Sequence, residues 1–451
     1  MNKNTFHLIS MGCSKNTVDS DSMAQLLVRD GYHSVDKANR ADVLIVNTCG
    51  FIGPAKQESL DVLRGLAGGK KKNQILIAAG CLTQRYGAEV AQQVPGLDGI
   101  LGTRRWMDIV QVVSELRKTK HPEPLYHLPE AKTVGADERD ALRATVYGSS
   151  AYLKVADGCR RPCAFCAIPL IKGTAVSRPV ETILNEARRL RDAGVRELIL
   201  LAQDTTDYGH DLGMKDGLAV LLERLTTSVP DMDWIRIMYA YPGFVTDRLI
   251  DVMASSKQVL PYLDMPLQHG SRNVLKLMKR GGTRESLERL IARVRERVPG
   301  ITIRTTFITG FPGETDEDFE ELMTFVRNCE FDNVGVFTYS DEEGTPAYEL
   351  DNKVDPRIAK QRRNRLMKEQ AKISKRKNRK RIGQRMKVMF EGFSKESDLL
   401  FQGRTEGQAQ EIDGYILIND MPEGFEPKIG EVYEVLITEA LEYDLVGEIV
   451  A

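Results

Sequence analysis

Three times before residue 100 the chain repeats one pattern: a short apolar run, a cysteine at its end, then a helical stretch. Phe6-His-Leu-Ile-Ser-Met-Gly12 stops at Cys13 and leads into a helix around Asp21–Asp30. Ala41-Asp-Val-Leu-Ile-Val-Asn47-Thr48 stops at Cys49, with a helix from about Pro54. Gln74-Ile-Leu-Ile-Ala-Ala-Gly80 stops at Cys81, and Thr83–Val94 reads as helix. Continuous apolar runs alternating with helices predict a parallel sheet covered on both faces, the α/β class. Ligands of such sheets bind at the carboxyl ends of the strands. Three thiols distant in sequence are therefore expected to meet in one small site. Buried core cysteines are the plain alternative, because unbridged cysteine is among the most buried residue types.

A second set is local. Asp157-Gly158-Cys159-Arg-Arg-Pro-Cys163-Ala-Phe165-Cys166 places three cysteines at x3 and x2 spacing, with no histidine between Gly158 and Lys172. Three thiolates on one loop can hold three corners of a four-iron cluster, and the missing fourth ligand leaves one iron open to a small molecule. The bacterial ferredoxin run is spaced differently and fills every corner. Zinc would more often show two Cys-x2-Cys pairs or paired histidines, and it remains the competing occupant beside incidental core cysteines. By the same argument Cys13, Cys49 and Cys81 are expected to hold a second cluster with one open iron. The seventh cysteine, Cys329, has no partner at a strand end and reads as a core residue.

At 451 residues the chain should form two or three domains, and 42% hydrophobic with 28% charged residues describes an ordinary soluble protein. Its start lacks a basic-then-apolar leader, and no run reaches the length of a membrane span. A reduced cytoplasmic setting follows, in which metal or catalytic cysteines outnumber disulfides. The expected parts are 1–140, 145–385 and 386–451.

From about Lys118 to Tyr147 periodicity is lost and the segment reads as a connection, with His121 and His127 solvated. Beyond the cysteine loop, strands and helices alternate again. The strands are Glu197–Ala202, Trp234–Met238, Tyr262–Pro266, Ile301–Ile308 and Asn333–Thr338, predicting a full or partial barrel with its site at the strand carboxyl ends. Those ends carry Gln203-Asp204-Thr205, Gln268-His269-Gly270-Ser271 and Gly310-Phe-Pro312-Gly313-Glu314. The glycine turn offers backbone N–H groups to a ligand, or is only a tight turn. Lys172 and Arg178 could pair with a carboxylate or be solvated.

Arg357–Lys387 carries Arg or Lys at fifteen positions, the pattern of a nucleic-acid-facing helix or of a solvated connector. The sign then reverses: Val388–Ala451 holds fifteen Asp and Glu against Lys395, Arg404 and Lys428. Short turn-separated strands there predict a small antiparallel, OB-like barrel. Its negative charge disfavours RNA and favours a basic protein.

The Cys159/Cys163/Cys166 triplet, with Phe165 before its last cysteine, resembles the signature of the radical S-adenosylmethionine (SAM) enzymes. With Cys13, Cys49, Cys81 and a terminal barrel of TRAM type, essentially the whole chain resembles the methylthiotransferase family. The closest branch modifies an aspartate of ribosomal protein S-12, through Met11–Asp19, Ala202–Thr205, Val336–Ser340 and Glu442–Gly447. Gly173-Thr-Ala-Val-Ser-Arg178 departs from it, since members tend to carry more basic residues there.

The resemblance implies two four-iron–four-sulfur clusters and SAM chelated at the open iron of the Cys159 set. Phe165, Gln203, Gly310, Pro312 and Gly313 are then assigned to the SAM pocket. One SAM would supply the methyl group for sulfur held at the Cys13, Cys49 and Cys81 cluster, and another the radical that takes hydrogen from the aspartate β-carbon. The implied partners are ribosomal protein S-12, free or in the small subunit, an electron donor such as flavodoxin or ferredoxin, and a sulfur donor. No membrane is involved, and the chain is expected to act as a monomer in the cytoplasm. A transfer RNA adenosine methylthiotransferase is the first alternative, and an iron–sulfur electron carrier or scaffold without SAM chemistry the second.

Overall fold

Each of the three cysteine-terminated runs becomes an interior strand of one parallel sheet. In the computed structural model, which describes residues 4–118, 122–395, 397 and 399–450, the order is His33–Ser34, Thr5–Ser10, Val43–Thr48, Ile75–Gly80, Gly99–Gly102, Leu125–His127. Every pair is parallel. Val43–Thr48 is buried along its whole length. Val43 and Ile45 enter one core with Phe6, Ile77 and Val112, while Leu44 and Val46 enter the other with Leu60, Leu63 and Leu82. Strand side chains alternate faces, and helices cover both, so the sequence shows a continuous apolar run.

The segment read as a connection is partly ordered into sheet. Leu125–His127 adds the sixth strand, and Ala144–Tyr147 is also a strand. His127 is not solvated: its Nε2 lies 2.9 Å from Asp108 Oδ2. His121 lies outside the described residues. Three-residue strands show no period, which is why the sequence hid them.

The chain divides into two units. The first comprises Met1–Thr145, Tyr152–Arg178 and Ser340–Tyr348; the second comprises Val146–Ala151, Pro179–Tyr339 and Glu349–Ala451. In the second, Glu197–Leu201, Trp234–Ile237, Val259–Asp264, Thr302–Thr309 and Asn333–Thr338 run parallel, each beside its sequence neighbour. This order has no switch point and describes a partial βα barrel. The basic helix, Pro356–Arg379, packs against Asn333–Thr338 through Ala359, Leu366 and Ile373. Several of its cations are paired inside the unit: Arg362 with Glu314 (2.9 Å) and Asp316 (2.7 Å), and Arg376 with Glu330 (2.6 Å). Cys329 is buried at the end of the helix Asp316–Cys329.

The terminal strands Arg385–Phe393, Phe401–Arg404, Ile416–Asp420, Leu445–Ile449 and Val432–Ala440 close a barrel around Val388, Phe390, Ile418, Val435 and Leu445. Four pairs are antiparallel; Ile416–Asp420 and Leu445–Ile449 pair in parallel, a departure from the all-antiparallel expectation. Arg404, one of three cations in this region, is fully buried. It bonds Glu197 (2.7 Å) and Glu391 (2.6 Å), while Arg236 takes the other oxygen of Glu197 (2.7 Å). Arg404 is thus withdrawn from the barrel surface together with its barrel partner Glu391. Burial alone would raise the Glu197 carboxyl, but Arg404 and Arg236 outweigh it and hold it at about 2.

Removing one partner of a buried ion pair strands the other. Glu197→Gln is expected to lower stability by about 3–5 kcal/mol, read from urea unfolding. The Glu197 contribution is complete above the ordinary value of 4.5 and is lost as pH falls towards about 2. The variant should accordingly show a shallower loss of stability across that window.

Candidate metal centres

The amino-terminal thiols meet because polar side chains tie the strand ends that carry them. Asn16 Nδ2 donates to Met11 O (2.7 Å) and Asn47 O (2.9 Å); Asn47 Nδ2 donates to Asn16 O and Ser20 Oγ, both at 2.9 Å. This reciprocal clamp joins the segment before Cys13 to the strand before Cys49. Ser59 Oγ brackets Cys49, accepting from its N–H and donating to its carbonyl, each at 3.0 Å. Thr83 Oγ1 donates to Gly80 O (3.0 Å) and Leu101 O (2.7 Å), fixing the turn at Cys81. Gly12 has φ +84, and a Cβ there would lie 2.8 Å from Cys49 Sγ.

Cys13 is exposed at the start of the helix Ser14–Arg29, while Cys49 and Cys81 are partly buried. Burial raises the Cys49 thiol, and Cys13 raises it further; burial, against the pull of Lys172 and with added repulsion from Cys13 and Cys49, pushes Cys81 to about 12. The three thiols thus feel one another as neighbours. A metal group must supply the compensating positive charge and displace their protons. Among the described residues no three His, Cys, Asp or Glu side chains are disposed to share one metal ion. A four-iron cluster makes no such demand, because each thiolate binds a different corner, so the donor set fits it better than zinc.

The second set sits on a loop closed by its own backbone. Gly158 has φ +78, and a Cβ there would lie 2.1 Å from Thr174 O. Cys159 N–H donates to Gly173 O (3.0 Å), Cys166 N–H to Cys163 O (3.2 Å), and Ala347 N–H to Ala164 O (2.8 Å). Arg161 N–H points at Cys159 Sγ at 3.5 Å, the polarity that an anionic sulfur requires. Phe165 is half-buried. The loop belongs to the same unit as Cys13, Cys49 and Cys81.

Within that unit lies a buried knot of charges that sequence reasoning did not assemble. Lys172 Nζ bonds Asp19 Oδ2 and Asp157 Oδ1, both at 2.8 Å. Lys154 also pairs with both carboxylates. Arg143 reaches Asp19 (2.6 Å) and Asp157 (3.1 Å) and stacks over Trp106, 4.0 Å from its ring centre. Arg178 bonds Glu138 (2.7 Å) and Lys154 O (2.7 Å). Lys172 and Arg178 are therefore not solvated, and the carboxylates they meet belong to this chain. Asp19 stood in the quoted Met11–Asp19 run, but nothing local signals a partner 153 residues away.

The strand ends of the second unit hold the remaining candidates. Gln203 Oε1 is buried and has no hydrogen-bond partner in the structure, an acceptor left for a polar ligand. Tyr239 (φ +59) and Gln268 (φ +74) stand just past adjacent strands in the left-handed region, strain of the kind that gathers at binding sites. His269 is buried, its Nδ1 accepts from Ser271 N–H (2.9 Å), and burial lowers it to about 3, so it is neutral. In the glycine turn, three N–H groups have partners within the chain. Gly310 and Phe311 N–H both donate to Glu314 Oε2 (2.6 and 3.1 Å), and Gly313 N–H donates to Asn352 O. A Cβ on Gly310 would come within 2.3 Å of Ala359 Cβ, and Pro312 is buried. Gly310 thereby closes the turn against the helix Pro356–Arg379, while Gln203 Oε1 stays unpartnered.

Comparisons with known proteins agree with this geometry. Residues 153–326 match the model of the radical SAM superfamily, 382–450 that of the TRAM domain, and 5–102 that of uncharacterized protein family UPF0004. The chain is 46% identical to the ribosomal protein uS12 methylthiotransferase RimO of Solibacter usitatus, covering 98% of this chain and 94% of that one. It is likewise 46% identical to the protein of that name from Symbiobacterium thermophilum, over 98% and 90%. Among solved structures, the radical SAM methyltransferase TsrM of Kitasatospora setae, with cobalamin and an iron–sulfur cluster bound, shares the fold. Its TM-score is 0.59 at 13% identity, covering 77% of each chain.

Gly12→Ala tests the amino-terminal geometry. The added methyl group collides with the Cys49 side chain at a positive φ, so the variant should lose the iron held by this triad and keep that of the other. Iron analysis of the reconstituted protein, with and without Cys159, Cys163 and Cys166, reads this directly.

Proposed function

The chain belongs to the ribosomal protein uS12 methylthiotransferase RimO family, and we propose that it places a methylthio group on the β-carbon of an aspartate of uS12. It is a SAM-dependent radical transferase that uses two four-iron–four-sulfur clusters. The observation that carries the reading is the presence of two three-cysteine sets, each short of a fourth ligand, in one unit of a chain that matches the family along 98% of its length.

We assign Cys159, Cys163 and Cys166 to the cluster that binds SAM, and Cys13, Cys49 and Cys81 to the cluster that delivers sulfur. When bound, these groups and SAM supply the hydrogen-abstracting radical, the sulfur and its methyl group. The chain supplies the rest. The Asn16–Asn47 clamp and Ser59 hold one set of thiols, and the Gly158 turn holds the other. Gln203 is assigned to SAM through its unpartnered Oε1, with Phe165 flanking the cluster. Gly310, Pro312 and Gly313 are assigned to SAM binding as well, on a turn that Glu314 closes.

The acidic barrel supports a basic protein as substrate over RNA, because its fifteen Asp and Glu stand against three cations. The parts act as 1–140 for sulfur delivery, 145–385 for the radical step and 386–451 for docking the substrate. A flavodoxin- or ferredoxin-type electron donor and a separate sulfur donor complete the reaction in a cytoplasmic setting. Among the described residues no helix is long and apolar enough to cross a membrane.

The test is to incubate the reduced, anaerobically reconstituted protein with SAM, sulfide and either a uS12 loop peptide or transfer RNA, and weigh the products. Methylthio gain on a peptide aspartate is expected; gain on adenosine alone would replace the protein substrate with RNA. Replacing Cys159, Cys163 and Cys166 with Ala should abolish SAM cleavage, and cleavage that survives would refute the assignment of that triad.

A further inference from the structure

One segment of the first unit touches both cysteine sets. Ser340–Tyr348 follows the strand Asn333–Thr338 in sequence and belongs to the unit that holds Cys13, Cys49, Cys81 and the Cys159 loop. Its anchor is the carboxylate of Glu342. Oε1 accepts from Gly53 N–H (2.9 Å) and from Ser340 Oγ (2.6 Å), and Oε2 accepts from Arg85 (2.7 Å). The Arg85 and Glu342 side chains are only 6% and 9% exposed, so this pair is held away from water.

Each of these contacts falls beside an amino-terminal thiol. Gly53 opens the helix Gly53–Gly69 just after Cys49, and Ile52 before it supplies no side-chain cap. The first N–H groups of a helix have no partner within it. Glu342, 289 residues away, caps this one, and negative charge is favoured at that end. Arg85 lies one turn beyond Cys81 on the helix Cys81–Gln93. Its guanidinium also reaches Gly50 O (3.3 Å), next to Cys49, and Glu343 O. Glu342 and Arg85 thus tie the element that leaves Cys49 to the element that begins at Cys81.

A few residues on, the same segment meets the second set. Ala347 N–H donates to Ala164 O (2.8 Å), between Cys163 and Cys166. Thr345 turns the chain from one contact to the other, donating to Glu342 O through its N–H (3.1 Å) and its Oγ1 (2.7 Å). Gly344 has φ +78, and a Cβ there would lie 3.3 Å from Leu170 Cδ1, on the short helix after Cys166. The chain from Glu342 to Ala347 spans at most about 18 Å even fully extended, so its two contacts cannot separate far.

We propose that Ser340–Tyr348 is a strap that fixes the separation of the two cysteine sets, with Glu342 as its positioning residue. By holding the Cys49 and Cys81 elements, Glu342 sets where a cluster on Cys13, Cys49 and Cys81 stands relative to one on the Cys159 loop. The proposal rests on the assignment of both sets to clusters. Transfer of sulfur to a carbon radical needs the reacting atoms in near-attack geometry, whereas SAM cleavage draws on the Cys159 set alone. Loosening the strap therefore uncouples the two.

The experiment is EPR of the full-length reconstituted protein with both clusters reduced, in which spin–spin broadening reads their separation independently of turnover. The wild-type broadening should vanish when Cys159, Cys163 and Cys166 are replaced with Ala. Glu342→Gln keeps the shape of the side chain and removes the charge that Arg85 faces. It should hold the wild-type iron, cleave SAM at the wild-type rate and show altered broadening. Methylthio product per SAM cleaved should fall about tenfold or more, because a shift of about 1 Å at the reacting atoms costs on the order of a hundredfold. Arg85→Met removes the other partner and should act in the same direction, so the test does not hang on one variant. Glu343→Gln, at an exposed neighbour that lends only its carbonyl, should change neither readout. Wild-type broadening and wild-type product per SAM cleaved in iron-loaded Glu342→Gln and Arg85→Met would overturn the strap. Loss of SAM cleavage in step with product would reduce Glu342 to a general stabiliser and overturn it too. Wild-type protein whose iron content is unmoved by Cys13→Ala would instead overturn the assignment on which the proposal rests.

Discussion

The pairing of Lys172 with Asp19 and Asp157 is the interaction that ties together the helix after Cys13 and the Cys159 loop in the first unit. Each of the three residues sits within a short span of a cysteine set: Asp157 and Lys172 flank the Cys159–Cys166 loop, while Asp19 is 153 residues from Lys172. A salt bridge exposed to water would be worth little here. Buried, it is geometrically demanding, because every misplaced charge costs several kcal/mol. That demand makes the arrangement specific: the segment around Cys159 cannot drift from the Cys13 helix without leaving charges unpaired in a low-dielectric interior.

A similar principle operates in the second unit with a different outcome. Glu197 opens a barrel strand, and Arg404 belongs to the terminal β-barrel; their contact is fully buried and shared with Arg236 and Ser150. Tyr262 OH donates to Asp413 (2.7 Å), which also faces Arg304 (3.5 Å). The terminal barrel is consequently seated by charged contacts, and its remaining surface is left strongly acidic. Arg404 and its barrel partner Glu391 are withdrawn from the exterior together, and Asp413 is buried beside Arg304, so these pairings leave the surface charge to the remaining carboxylates.

Two of the residues with left-handed backbone lie at neighbouring strand ends of the partial barrel. Tyr239 and Gln268 take left-handed backbone at neighbouring strand ends, where ordinary side chains cost of order 1–3 kcal/mol each. Hydrogen bonds hold them: Tyr239 N–H donates to Asp264 Oδ2 (3.1 Å), and Gln268 N–H donates to Thr306 O (2.8 Å). The Gly310–Glu314 turn shows the converse. It has the look of a ligand cradle in sequence, yet its N–H groups at Gly310 and Phe311 are occupied by Glu314, and its first glycine exists because Ala359 leaves no room for a Cβ.

Local order was legible in the residues. The alternation of apolar runs and helices is a property of near neighbours, so the parallel sheet, the partial βα barrel and the terminal barrel could be read from it, while the family was recognised by resemblance, from the cysteine spacing and short motifs. Short strands such as Leu125–His127 were lost because three residues carry no period. What tertiary structure alone decided was the pairing of distant charges and amides. Asn16 with Asn47, Lys172 with Asp19, and Arg404 with Glu197 are joined across tens to hundreds of residues by the fold, and no local pattern announces them. The sequence thus determined which atoms could do chemistry, while the packed chain decided which of them stand together and how much charge surrounds them, because burial converts weak, solvated charges into fixed and directional ones.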